Sequence, residues 1–237
     1  MKREKHFETE AALCDAFMAW ARTEGFTVYP ETAGWDILLV ASDGLQLGVE
    51  AKLALNLKVI AQALRGLVWS ADRGPDFRGI VVPSVPEGVD EILVASGLEV
   101  FSPQRSWRRD GEVWTFDRQH HYNSEMFDWN PKERCELPDY VPDVPAGVPA
   151  PRTLSPWKVG ALRVLAMLEV QGYVTRQDVV LCKNDPRRWC ANDGWLKQMG
   201  EGKWGPGRAP RFDLDHPDIY AQIIADIRTR VGKAVAA

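Results

Sequence analysis

The sequence predicts an α/β protein: a mixed sheet flanked by helices, followed by a second, mainly helical module. Three observations point there. Between residues 9 and 102, helix-period and strand-period runs follow one another in the order α-β-β-β-α-β-α-β, which calls for one sheet covered by helices. Prolines at 138, 142, 145, 149, 151 and 156 then make a stretch that can form neither a helix nor a central strand. Net charge changes sign across it: −6 over residues 1–102, −3 over 103–150 and +5 over 151–237, for −4 over 237 residues. The expected division is therefore an α/β module at 1–102, an aromatic and proline-rich connector at 103–150, and a basic module at 151–237.

Each element of the front module has a local reason. Apolar residues at 12, 13, 16, 17 and 20 give the stripe of an amphipathic helix, with Thr9 as its cap and Gly25 as its stop. FTVYP (26–30) reads as a short strand. WDILLVA (35–41) and LQLGVEAKL (45–53) read as a hairpin joined at Asp43-Gly44. A helix over 57–74, capped by Asn56, leads to a buried strand at 77–84. A short helix at 87–97 and a strand at 98–102 complete the set. In the connector, GEVWTFD (111–117) alternates like a strand after a turn at Asp110-Gly111.

Composition narrows the class. No apolar run reaches the roughly 18 residues a membrane span needs, and the charged start MKREKHFETE has no apolar core behind it. The expectation is a cytoplasmic protein with no membrane partner. Cys14, Cys135, Cys182 and Cys190 are scattered and form no Cys-x-x-Cys pair, so they read as free thiols. Cys182 and Cys190 are too widely spaced, with no histidine near, to suggest zinc. His120 and His121 sit in a loop-like aromatic segment and read as surface residues.

The chemistry concentrates in the hairpin. Asp36 opens its first strand, and Glu50 and Lys52 close its second, two apart and therefore expected on one face. A hairpin brings a strand's start near its partner's end, so Asp36 is expected across from Glu50. Two converging carboxylates repel unless a cation lies between them. A hard divalent ion, Mg²⁺ or Mn²⁺, suits them, with the Ala51 carbonyl and waters as further ligands. Lys52 could orient or deprotonate a bound water, or neutralise charge on a phosphate.

Asp36, thirteen residues, then Glu50-Ala51-Lys52, on an α-β-β-β-α-β frame, resembles the PD-(D/E)xK superfamily of restriction-endonuclease-like nucleases. The resemblance covers roughly residues 8–102, and Trp35 stands where the motif's proline would be. It implies a restriction-endonuclease-like fold and a metal-dependent endonuclease leaving a 5′-phosphate. Asp36 and Glu50 would hold the metal and Lys52 would serve catalysis. By the same resemblance Glu10 matches an additional acidic position, Gln62 matches a glutamine used near the site, and Glu31 is a weaker acidic candidate.

The basic module predicts helices at 155–172, 175–182 and 185–199, a glycine- and proline-rich hairpin at 200–215 and a last helix at 217–235. Three helices and a hairpin resemble a winged helix-turn-helix domain. That implies DNA contact by Arg187, Arg188 and Lys197 of the third helix and by Lys203, Arg208 and Arg211 of the hairpin. The domain order also resembles the endonuclease subunit of some heteromeric transposases. Two readings stay open: a DNA endonuclease, acting alone, as a homodimer or with a protein partner, and a non-catalytic DNA- or protein-binding factor of a phage or mobile element on the same fold.

Overall fold

The computed structural model of this chain describes residues 7–65, 73–86, 88–108, 111–118, 125–148 and 154–235. The chain divides into two compact units, Met1–Arg152 and Thr153–Ala237. Unit 1 contains α1 (Glu10–Thr23), β1 (Thr27–Thr32), β2 (Trp35–Val40), β3 (Gln46–Ala51), α2 (Leu57–Ala63), β4 (Arg73–Gly74), β5 (Phe77–Val81), α3 (Val89–Ala95), β6 (Glu99–Arg108), β7 (Gly111–Arg118) and β8 (Glu133–Arg134). Its mixed six-stranded sheet has the order β1-β2-β3-β5-β6-β7. The β3–β5 and β5–β6 pairs are parallel, and the other three are antiparallel.

Capping follows the sequence. The Thr9 hydroxyl accepts from Ala12 N–H, and the Asn56 side chain accepts from Lys58 and Val59 N–H. At the β2–β3 turn Gly44 takes φ +86°, a conformation that favours glycine. Helices then cover both faces of the sheet. On one, Leu13, Cys14 and Phe17 of α1 pack with Ile37, Leu39, Val49 and Phe101. On the other, Val59 and Ala63 of α2 and Leu93 of α3 pack with Trp35, Leu38, Ile80 and Val100. Strict alternation would put Trp35 with Ile37. Its indole lies over Gly48 instead, where a Cβ would stand 2.4 Å from the ring.

Three departures from expectation concern unit 1. The helix expected to reach residue 74 is described only as Leu57–Ala63; residues 66–72 lie outside the described set, and Arg73–Gly74 is a strand paired with Glu133–Arg134. Pro75 disfavours helical backbone at Gly74. The strand expected at 98–102 runs to Arg108. Beyond Phe101 it pairs with β7 alone, so Pro103 stands where one edge is open. The segment 103–150 is more than a connector, since it supplies β7 to the sheet and places Ala146 in the α1 core. The anticipated turn at Asp110-Gly111 falls partly, and His120 and His121 wholly, outside the described residues.

Unit 2 contains α4 (Pro156–Gln171), β9 (Val174–Thr175), α5 (Arg176–Leu181), α6 (Pro186–Cys190), β10 (Lys197–Gly200), β11 (Lys203–Gly205), α7 (Phe212–Asp215) and α8 (Pro217–Val235). Ser155 caps α4, Gly172 ends it in the left-handed conformation, and Thr175 and Asp178 form a reciprocal capping box. Strands β10, β11 and β9 form a three-stranded antiparallel sheet in that order. The third helix is a correction: expected over 185–199, it stops at Cys190. Asn192-Asp193-Gly194 turns the chain, closed by Gly194 N–H donating to Ala191 O at 2.9 Å. Lys197 therefore stands on a strand, not a helix.

Candidate functional site

Parallel pairing sets the site at one end of the sheet. Ala51, Val81 and Phe101 form a row across β3, β5 and β6, and Lys52 follows immediately, its N–H donating to Val81 O at 3.1 Å. Asp36 enters from the start of β2, and its Oδ2 accepts from Ala51 N–H at 2.9 Å. Lys52 Nζ donates to Glu10 Oε2 at 3.0 Å, Asp36 Oδ2 at 3.3 Å and Ala51 O at 2.8 Å. The expected group of Asp36, Ala51, Lys52 and Glu10 is thus brought together. Glu50 is nearly sealed from solvent, and its Oε1 accepts from Arg65 Nη2 at 2.5 Å. Glu50 and Lys52 take different partners, although their charges still act on one another.

Burial of the Glu50 carboxylate, with the charge of Asp36, pushes its pKa up to about 7 against the pull of Arg65 and Lys52. Glu31 is also raised, by burial first and then by Asp36, against a hydrogen bond from Gly147 N–H. Burial works against the Lys52 ammonium, but the Glu10 hydrogen bond and the Asp36 charge outweigh it and hold the pKa above the ordinary lysine range. These partners favour the ammonium form of Lys52. Cys14, on the buried face of α1, is pushed upward mainly by burial, so it is not a reactive thiolate.

Four acids (Glu10, Glu31, Asp36, Glu50) act within one electrostatic group against two cations, Lys52 and Arg65. The formal excess is two negative charges, which suits a divalent ion. Among the described residues, hydrogen bonds to Asp36 fall on Oδ2 and those to Glu50 on Oε1. Among them too, no three of His, Cys, Asp and Glu come together in a metal-holding group. A bound ion would rest on two carboxylates, the Ala51 carbonyl and water, a set that Mg²⁺ accepts. Gln62 does not join the acids by any hydrogen bond among the described residues, and its Oε1 is buried without a partner.

Sequence reasoning missed Arg65, Arg78 and Gly147. Arg65 stands just past the end of α2, bonded to Glu50 and to Gly34 O and stacked 5.2 Å over Trp35. Buried Arg78 donates to Ala63 O and Arg65 O, capping that helix end. A lone arginine inside the apolar run FRGIVV was its signal. Gly147, at φ +67°, lies against Cys14 and Glu10 and donates to Glu31.

The chain matches no family model, no curated protein and no solved structure.

In unit 2 the six basic candidates divide. All but half-buried Lys203 are exposed, and four of the six have side-chain or carbonyl partners. Arg188 stacks over Trp157 and Trp195, Lys203 lies 4.6 Å over Tyr173, Arg208 bonds to the carbonyls of Asp193 and Gly194, and Arg211 pairs with Asp213 at 2.6 Å. A cavity of about 720 Å³ lies beside Trp195, Lys197, Trp204 and Arg208. No helix among the described residues is long and apolar enough to cross a membrane.

Proposed function

We propose that this chain is a metal-dependent DNA endonuclease that hydrolyses phosphodiester bonds, with unit 2 as a winged-helix-like DNA-binding domain. One observation carries the reading: the Lys52 ammonium is held between Asp36 and Glu10 at the end of the strand whose Glu50 is buried beside it. Asp36, Glu50 and the Ala51 carbonyl would hold Mg²⁺ or Mn²⁺. When bound, such an ion lowers the pKa of water and polarises a phosphoryl oxygen. The protein's own groups do the rest. Asp36 and Glu10 fix Lys52 as a cation facing the phosphate, where it offsets charge developing on the non-bridging oxygens. Arg65 favours the ionised form of Glu50 and offsets part of the effect of its burial. The β10-β11-β9 sheet behind three helices supports the winged-helix reading, and exposed Arg187 and Lys197 are its best phosphate contacts.

A second reading also has an observation behind it. Arg65 on Glu50, and Lys52 on Asp36 and the Ala51 carbonyl, already partner the groups a metal would use. A non-catalytic DNA- or protein-binding factor would keep those ion pairs as structure. Supercoiled, linear and branched DNA incubated with Mg²⁺, Mn²⁺ or EDTA separates the two: the enzyme cuts with metal and not with EDTA, and the binding factor cuts nothing.

A further inference from the structure

The row Ala51–Val81–Phe101 marks where the sheet's parallel part ends, and β6 does not end there. It continues to Arg108, paired with β7 alone, from Phe101↔Arg118 to Arg108↔Gly111. Seven residues past Phe101 make a two-stranded arm of roughly 23 Å. It rises from the same end of the sheet as Asp36, Glu50 and Lys52, with its base two strands, roughly 10 Å, from β3. Side chains alternate along it, so Phe101, Arg105 and Trp107 share one face, that of α1 and Glu10. Trp114, opposite Arg105, roots this face on Phe7 at 4.9 Å. Arg105 lies over Trp114 and pairs with Glu112. Trp107, one step further out, is 79% exposed.

An indole held out on a hairpin, beside an arginine and roughly 20 Å along the arm from the end of the sheet that carries the site, suits the face of a nucleobase. Inside an intact duplex those faces are covered by neighbouring base pairs, so such a post meets a base only where stacking is interrupted. We propose that the β6–β7 arm binds the DNA substrate beside the cleavage site and that Trp107 stacks on an unpaired base, directing the enzyme to strand ends, flaps or junctions. This rests on the DNA reading of the site, and it adds the substrate class.

The test uses the full chain in EDTA, binding a blunt duplex and the same duplex with one splayed end. Wild type is expected to prefer the splayed DNA. Trp107→Ala should weaken that binding about tenfold, within the usual range for one base–aromatic stack, and leave the blunt duplex unchanged. Trp107→Phe should keep most of the preference. Equal binding of both DNAs by wild type, no binding at all, or equal losses on both in Trp107→Ala overturns the proposal. So does a sedimentation shift from dimer to monomer in Trp107→Ala, which would make the indole a contact between copies. Cleavage with Mg²⁺ is read separately. Trp107-dependent binding without cleavage keeps the arm and ends the nuclease reading. Cleavage indifferent to Trp107 on both DNAs does the reverse.

Discussion

Lys52 Nζ stands 3.0 Å from Glu10 Oε2 and 3.3 Å from Asp36 Oδ2. The first turn of a helix and the start of a strand thereby hold one ammonium between them. Lys52→Ala removes that charge and leaves Asp36, Glu50 and the Ala51 carbonyl in place. It should still bind Mg²⁺ by calorimetry and still bind DNA, while its cleavage rate falls on the order of 100-fold or more. A variant cutting at the wild-type rate would make Lys52 a structural ion pair.

Glu50 predicts a pH dependence of stability. In EDTA its folded pKa of about 7 lies above the ordinary 4.5. Below pH 4.5 the group is neutral in both states and costs nothing. Between 4.5 and 7 the unfolded chain releases the proton and the folded one retains it, so stability falls as pH rises, then levels. The full loss is roughly 3 kcal/mol. Glu50→Gln should flatten this trend and melt higher than wild type at pH 8 without metal. Adding Mg²⁺ should restore wild type and leave Glu50→Gln unmoved. Thermal melts across pH, with and without metal, check both statements.

The hairpin acids were legible because each sits where a packed strand does not want charge, and Asp36, Lys52 and Glu10 do converge. The caps at Thr9 and Asn56 were equally legible, since capping is local chemistry. What escaped depends on tertiary context. Arg65 reaches Glu50 from just past the end of α2, where Arg78 of β5 donates to its carbonyl. Gly147 meets Glu10 and Glu31 across more than a hundred residues, which no local pattern records. The third helix of unit 2 was overextended because its apolar spacing persists past Cys190, while Asn192-Asp193-Gly194 wins locally as a turn. Pro103 similarly hid the length of β6, because proline's cost disappears once an edge is open.

Gly147 ties the 125–148 segment to the site. A Cβ there would stand 2.7 Å from Cys14 Sγ, at a backbone angle that alanine disfavours. Gly147→Ala should cost about 1–3 kcal/mol, lower the melting temperature by a few degrees, and weaken Mg²⁺-induced stabilisation by displacing Glu10. Cys14→Ala in the same chain should recover part of the loss, because it removes the obstructing sulfur.

If unit 2 holds DNA through phosphates, affinity should fall steeply with salt. In the full chain, the double change Arg187→Ala with Lys197→Ala should weaken binding across sequences and reduce the slope of log affinity against log salt by about two. Arg211→Ala should change it little, since Arg211 is committed to Asp213. A slope unaltered by the double change would move the contact elsewhere.

Cleavage of supercoiled and branched DNA by the purified chain, followed on gels with Mg²⁺, Mn²⁺ or EDTA beside Asp36→Ala and Glu50→Ala, tests the central claim most directly. Nicked or linear product should form with either metal, vanish with EDTA, and be absent from both variants. A wild-type protein that cuts no DNA with any metal, or cleavage that survives both substitutions, would contradict the assignment of Asp36, Glu50 and Lys52 as a hydrolytic centre.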